Sequence, residues 1–69
     1  MDILVKNLLA RAEQEERDLL AVRERLAARG LAFDCSVTHT YHRSRLMAFC
    51  DALDIFGVDR RSFNWVFNA

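Results

Sequence analysis

The stretch Asp2–Gly30, DILVKNLLARAEQEERDLLAVRERLAARG, decides how the rest of the chain is read. Val5, Leu8, Ala12, Leu19, Val22 and Leu26 recur at alternating steps of three and four, and Glu15 fills the one gap in the series. That spacing keeps side chains on one face of an α-helix, as a heptad-like seam. Asp2 is placed to cap the first turn. Gly30 suits the left-handed position just past the last turn, where Leu31 folds back on Leu26 in a Schellman motif. The predicted helix covers about residues 2–29 and is about 40 Å long. In its middle, Glu13-Gln-Glu-Glu-Arg-Asp18 contains no apolar residue. With Glu13 and Arg17 at i,i+4 in the favourable order, this segment reads as a solvated face, the other reading being an acidic docking patch.

Working outward, a short link from Leu31 to Asp34 leads to Ser36 or Thr38, either of which can cap a second helix over about 37–56. Its buried stripe reads His42, Leu46, Phe49, Leu53, Phe56, and Met47, Ala48, Cys50, Ala52 and Ile55 widen the apolar surface. Gly57 ends that helix, with Val58 against Leu53 repeating the first terminus. Asp59 then caps a short third helix over about 59–67, and Val58 and Phe63 have the spacing of a hydrophobic staple. Phe63, Val66 and Phe67 share a face that closes one end of the core, and Asn68-Ala69 should fray.

The expected fold is all-α: one domain over 1–69, with helices 1 and 2 as an antiparallel hairpin and a short C-terminal helix. Helix 2 is about two-thirds the length of helix 1. A lone hairpin would therefore expose several of Val5, Leu8, Leu9, Leu19, Leu20 and Val22, a patch that monomers seldom tolerate. A two-fold homodimer is predicted, a helical bundle with Val5, Leu8, Ala12, Leu19, Val22 and Leu26 as its dimer core.

Composition agrees with a small helical domain. The chain has 69 residues, no proline, two glycines and 52% hydrophobic residues. That is too apolar for a disordered tail and too poor in turn formers for a sheet protein. Lys+Arg 10 balances Asp+Glu 10, so no net field draws it to nucleic acid or membrane. Ile3-Leu4-Val5 is interrupted by Lys6 and Asn7. With no spanning run and no signal-peptide layout, a cytoplasmic location is expected.

Candidate chemistry is sparse. Cys35 and Cys50 are too few for a disulfide scaffold and read as reduced, mostly buried thiols, with a redox pair as the lesser reading. His39 and His42 lie between them, but Cys50 is about 12 Å beyond His42 along a continuous helix, so the four cannot close on one metal ion. His42 reads instead as a histidine at the core edge with a hydrogen-bond partner. Asp51 and Asp54 read as a solvated face and Asp59 as a cap. No nucleophile motif, phosphate-cradling loop or cofactor signature occurs, so neither an enzyme nor a metal or cofactor site is expected.

The segment Thr38–Arg45, THTYHRSR, stands apart. It gathers cations where a helix N-terminus is itself partly positive, so Arg43 and Arg45 oppose the helix dipole. Together with His39 and Tyr41 they are the expected partner-binding residues, Tyr and Arg being the types that anchor interfaces. The partner is an acidic or polar protein surface, or else these are ordinary solubilising arginines. A third reading is DNA, met by a recognition helix in a small dimeric regulator of helix-turn-helix-like layout. Against DNA stand a pI near 6.7, the length of helix 1 and the acids at 13, 15, 16 and 18, since DNA-binding domains usually run well above neutral.

In length and layout over the whole chain, a 69-residue all-helical dimer with a basic-aromatic helix start resembles the small early proteins of temperate Pseudomonas phages. It is most similar to their quorum-sensing anti-activators. The resemblance implies a non-catalytic inhibitor that binds a host LuxR-type transcription activator and blocks its binding to DNA, with the type IV pilus assembly ATPase as a further partner. It carries no residue across. Tyr41, Arg43 and Arg45 rest on their place at the helix start alone.

Overall fold

The computed structural model describes residues 2–68; of the pair expected to fray, Asn68 is the last residue of the C-terminal 3₁₀ helix and Ala69 lies outside the described residues. Helix α1 spans Ile3–Ala28 and helix α2 spans Val37–Ile55; a 3₁₀ turn at Phe33–Cys35 precedes α2, and a 3₁₀ helix at Arg61–Asn68 follows it. The termini form for local reasons. Asp2 Oδ1 accepts the Leu4 N–H at 2.9 Å, and Ser36, rather than Thr38, caps α2 by accepting the His39 N–H at 3.1 Å. Both helices end in Schellman pairs. Leu31 N–H reaches Leu26 O at 2.9 Å, and Val58 N–H reaches Leu53 O at 3.0 Å. Gly30, at φ 68°, and Gly57, at φ 73°, supply the left-handed backbone that these turns need, a conformation glycine adopts without steric cost.

The connection between the helices is short, so α2 returns antiparallel along α1. The result is a rod of 41 × 18 × 17 Å. The core is one cluster: Val5, Ala12 and Leu19 from α1, Leu46, Cys50 and Leu53 from α2, and Phe63 and Val66 from the C-terminal helix. In that last element the i,i+3 spacing of a 3₁₀ helix lines Phe63 above Val66, and both are buried. The expected third helix is thus present as a 3₁₀ helix, with Asp59 Oδ1 accepting the Arg61 N–H at 3.0 Å. No helix among the described residues is long and apolar enough to cross a membrane.

Three expectations change here. The seam assigned to the dimer is largely used within one chain: Val5, Ala12, Leu19 and Val22 are buried, and Leu8 and Leu26 are half-buried. Val5, Ala12, Leu19 and Val22 are therefore packed within the chain rather than set aside for a partner, while Leu20, also expected to need cover, is 48% exposed. The buried stripe of α2 is His39, Leu46, Cys50 and Leu53, rotated from the expected one, and Phe56 is exposed. Only one thiol, Cys50, is buried; Cys35 sits exposed in the 3₁₀ turn.

Leu46 has no exposed surface, so Leu46→Ala should cost about 3 kcal/mol, most of the stability a domain of this size holds. Ile3 lies at an exposed end of α1. Ile3→Ala should therefore change stability by no more than about 0.5 kcal/mol. Urea denaturation of the two variants checks the contrast; equal losses would contradict this core.

Candidate functional site

The cations that open α2 meet their counter-charge inside the same chain. Glu15, at the gap in the α1 seam, is 8% exposed. Its Oε1 accepts from Arg45 Nε at 2.6 Å, and its Oε2 lies 2.9 Å from His42 Nδ1. Arg43 Nε donates to the Val66 carbonyl at 3.2 Å, tying α2 to the C-terminal helix. His39 is buried at 4% exposure, stacked on Phe33 at 5.2 Å with 13° between the rings. Of the four residues expected to bind a partner, three therefore serve the fold. Tyr41 is 55% exposed, and the Arg45 side chain keeps 42% of its surface open while bound to Glu15.

The acidic middle of α1 is corrected in the same way. Glu15 is buried, and Glu16 Oε2 accepts the indole N–H of Trp65 at 2.8 Å. Two acids of the supposed solvated face thus hold α2 and the C-terminal helix in place. Arg17 donates to Gln14 at 2.8 Å, and Gln14 donates to Asp18 at 3.0 Å, in place of the expected Glu13–Arg17 pair. His42 does have the hydrogen-bond partner expected of a core-edge histidine.

Electrostatics follow from these contacts. Burial works to raise the Glu15 pKa, but the hydrogen bonds and charges of His42 and Arg45 outweigh it and hold the carboxyl below its usual value. The bond to Glu15 in turn raises Arg45. Burial, reinforced by Arg23 and Arg43, lowers His39 and favours its neutral form. Burial raises the Cys50 thiol, which makes it a poor nucleophile. The Arg23 guanidinium lies 4.4 Å from the Phe33 ring centroid and 5.3 Å from that of Trp65. This cation–π bridge joins the 3₁₀ turn to the C-terminal helix.

Among the described residues, ligand atoms of Glu15, Asp18 and His42 lie within 4.8 Å of one another, close enough to hold a cation. Arg45 already supplies the positive charge on Glu15, so a metal ion would have to displace it. Trp65, Arg60 and Arg61 are also engaged. Trp65 bonds Glu16, Arg60 meets Asp51 at 3.4 Å and lies over the Phe67 ring, and Arg61 meets Asp59 at 3.6 Å.

The face of α2 turned away from the core is different. Val37, Tyr41, Ser44, Ala48, Ala52 and Ile55 follow one another at steps of three and four, so they share one stripe. Val37 is 85% and Ile55 83% exposed. Beside the N-terminal half of the stripe runs an open groove of about 580 Å³, lined by Asp34, Cys35, Tyr41, Arg45 and Ala48 among others. Its sequence signal is the set of apolar residues beyond the first stripe of α2. Sequence alone takes them for a broader core, whereas the fold has no third layer on that side.

Acid should loosen the structure through His39 and Glu15. A histidine whose folded pKa is lowered contributes stability that is present above its unfolded value, about 6.5, and is lost as pH falls through that value toward the folded one. The depressed Glu15 adds a second loss at lower pH, as the pH falls through its folded value. The melting temperature should thus decline from pH 7 toward 5, and His39→Phe, which preserves the stack on Phe33, should flatten that decline. An unchanged slope in the variant would contradict the assignment. Comparison of the chain with protein-family models, with curated proteins and with solved structures gives no match.

Proposed function

We propose that this chain is a small non-catalytic protein-binding inhibitor that works as a homodimer and docks through the outward face of α2. The observation that carries the reading is the stripe Val37–Tyr41–Ala48–Ile55: apolar side chains held in water on a helix whose other side is fully used by the core. Exposed contiguous apolar surface on a small domain marks an interaction site. Tyr41 is the anchor, a large amphipathic ring in a groove. The Arg45 guanidinium lies 5.4 Å from its centroid. Arg45 thus supports the site while bound to Glu15.

The partner class follows from the likeness in size and layout to the phage quorum-sensing anti-activators. It is a host LuxR-type transcription activator, whose binding to DNA would be blocked, and a pilus assembly ATPase is a second candidate. Direct binding of DNA is the weaker reading. Arg43 donates to the Val66 carbonyl and Arg45 to Glu15, which leaves less of their charge to offer phosphate.

Tyr41→Ala should weaken binding to a purified LuxR-type activator by about tenfold or more, the loss expected of an interface anchor. Helicity by circular dichroism should not change, because the side chain is outside the core. Wild-type affinity in a folded Tyr41→Ala protein would overturn the assignment of this face. A mobility shift on DNA that weakens steeply with salt would favour the DNA reading.

A further inference from the structure

We infer that the groove between Phe33 and the first turns of α2 binds a phosphate-type oxyanion through His39 and Arg43, with Arg23 adding to the positive field. The inference is independent of what docks on the outward face of α2.

Two nitrogens in this part of the fold lack an acceptor. His39 is only 4% exposed, yet its Nε2 is buried without a hydrogen-bond partner, and so is Nε of Arg23. Buried polar atoms left unpaired are uncommon in folded proteins and are costly. The two do not bond one another, although they share one patch. The Arg23 guanidinium lies 4.4 Å from the Phe33 ring centroid, and His39 stacks on the same ring at 5.2 Å. Arg23 Nε is always a donor, and His39 Nε2 is a donor in one of its two neutral tautomers. An oxyanion brings only acceptors.

Positive charge is uncompensated at the same place. Among the described residues, neither Arg23 nor Arg43 pairs with a carboxylate. Arg43 uses its Nε on the neutral Val66 carbonyl at 3.2 Å, which leaves its two terminal nitrogens for a second acceptor. Both arginines act on His39, where they join burial in lowering its pKa. Helix α2 begins here with no acid in its first turn, so its first N–H groups and its dipole add to the same field. His39 and Arg43 line a groove of about 390 Å³ together with Phe33, Thr40 and Asp34. A guanidinium meets a tetrahedral oxyanion through a fork of N–H donors, the geometry that favours Arg at phosphate sites. Asp34 is the one acid in that lining, and it is exposed. Its single negative charge stands against two guanidinium groups and a helix start, so it limits the affinity without cancelling the field.

NMR titration of the full chain at pH 7 with sodium phosphate, against sodium chloride at matched ionic strength, tests the site. Phosphate should shift the His39 ring protons and the Arg43 side-chain N–H signals in a saturable way, and chloride should not. Arg43→Gln should weaken phosphate binding about tenfold, the loss expected for one charge-assisted hydrogen bond. Asp34→Asn should tighten it, a gain that purely structural roles for His39 and Arg43 do not produce, and Asp34 is too exposed for the fold to be at stake. Should Arg43→Gln unfold for want of its bond to Val66, His39→Phe decides, since it keeps the stack on Phe33 and should also weaken binding. Phenyl phosphate separates the sources of the group. Tighter binding than inorganic phosphate assigns the groove to an organic phosphate ester whose apolar part lies along Phe33, and equal or weaker binding assigns it to free phosphate. Shifts that match those in chloride, unchanged phosphate affinity in a folded Arg43→Gln or His39→Phe chain, or weaker binding in Asp34→Asn would each overturn the inference.

Discussion

One buried carboxylate sets the relation between the two helices. Glu15 interrupts an otherwise apolar seam and would be costly to bury alone, because a lone charge loses its hydration. It is tolerated because α2 delivers Arg45 to one oxygen and His42 to the other, on adjacent turns. An apolar seam can slip by a turn and still bury similar area. A carboxylate with two specific partners holds only in the register that supplies both. The cluster therefore acts as a device for register rather than for net stability, since a buried ion pair seldom outdoes well-packed apolar side chains.

The C-terminal 3₁₀ helix completes what a two-helix hairpin lacks. Two antiparallel helices of unequal length cannot bury a core of this composition, and domains of this size are marginal. Phe63 and Val66 enter the core, Trp65 bonds Glu16, and Arg43 holds the Val66 carbonyl. Arg23, between the Phe33 and Trp65 rings, ties this element to the turn before α2. Polar residues with the look of surface are thus used to attach the third element. The outward face of α2 keeps Val37, Tyr41 and Ile55 exposed, and the functional reading rests there.

The parts of this fold legible in the sequence are those set by local chemistry. Asp2, Ser36, Gly30 and Gly57 act through neighbours within a few residues, and the structure places the helix ends where their capping chemistry requires. The α1 seam is legible for the same reason, because its period is local. The partners of Glu15 and Glu16 lie far away in sequence, and no local rule names them. A combined signal is present, however: a single acid in an apolar seam, and an unexplained excess of cations at the start of the next helix. Read together, these two anomalies account for one another. His39 and Cys50 in place of His42 and Phe56 are not legible, because the buried face of α2 depends on where the C-terminal helix lands. For the site, Tyr41 is legible as an exposed aromatic residue. The fold contacts of Arg43, Arg45 and His39 are not legible from sequence alone because their partners come from other elements.

Arg45 belongs to the fold through Glu15, and the proposed binding therefore rests on the outward face of α2. A double-mutant cycle tests this directly, with Glu15→Gln, Arg45→Met and the double variant compared by urea denaturation. Strong coupling is expected: each single change destabilises the chain, and the double variant is no less stable than Glu15→Gln alone. Losses that simply add, or an Arg45→Met chain as stable as the wild type, would contradict it.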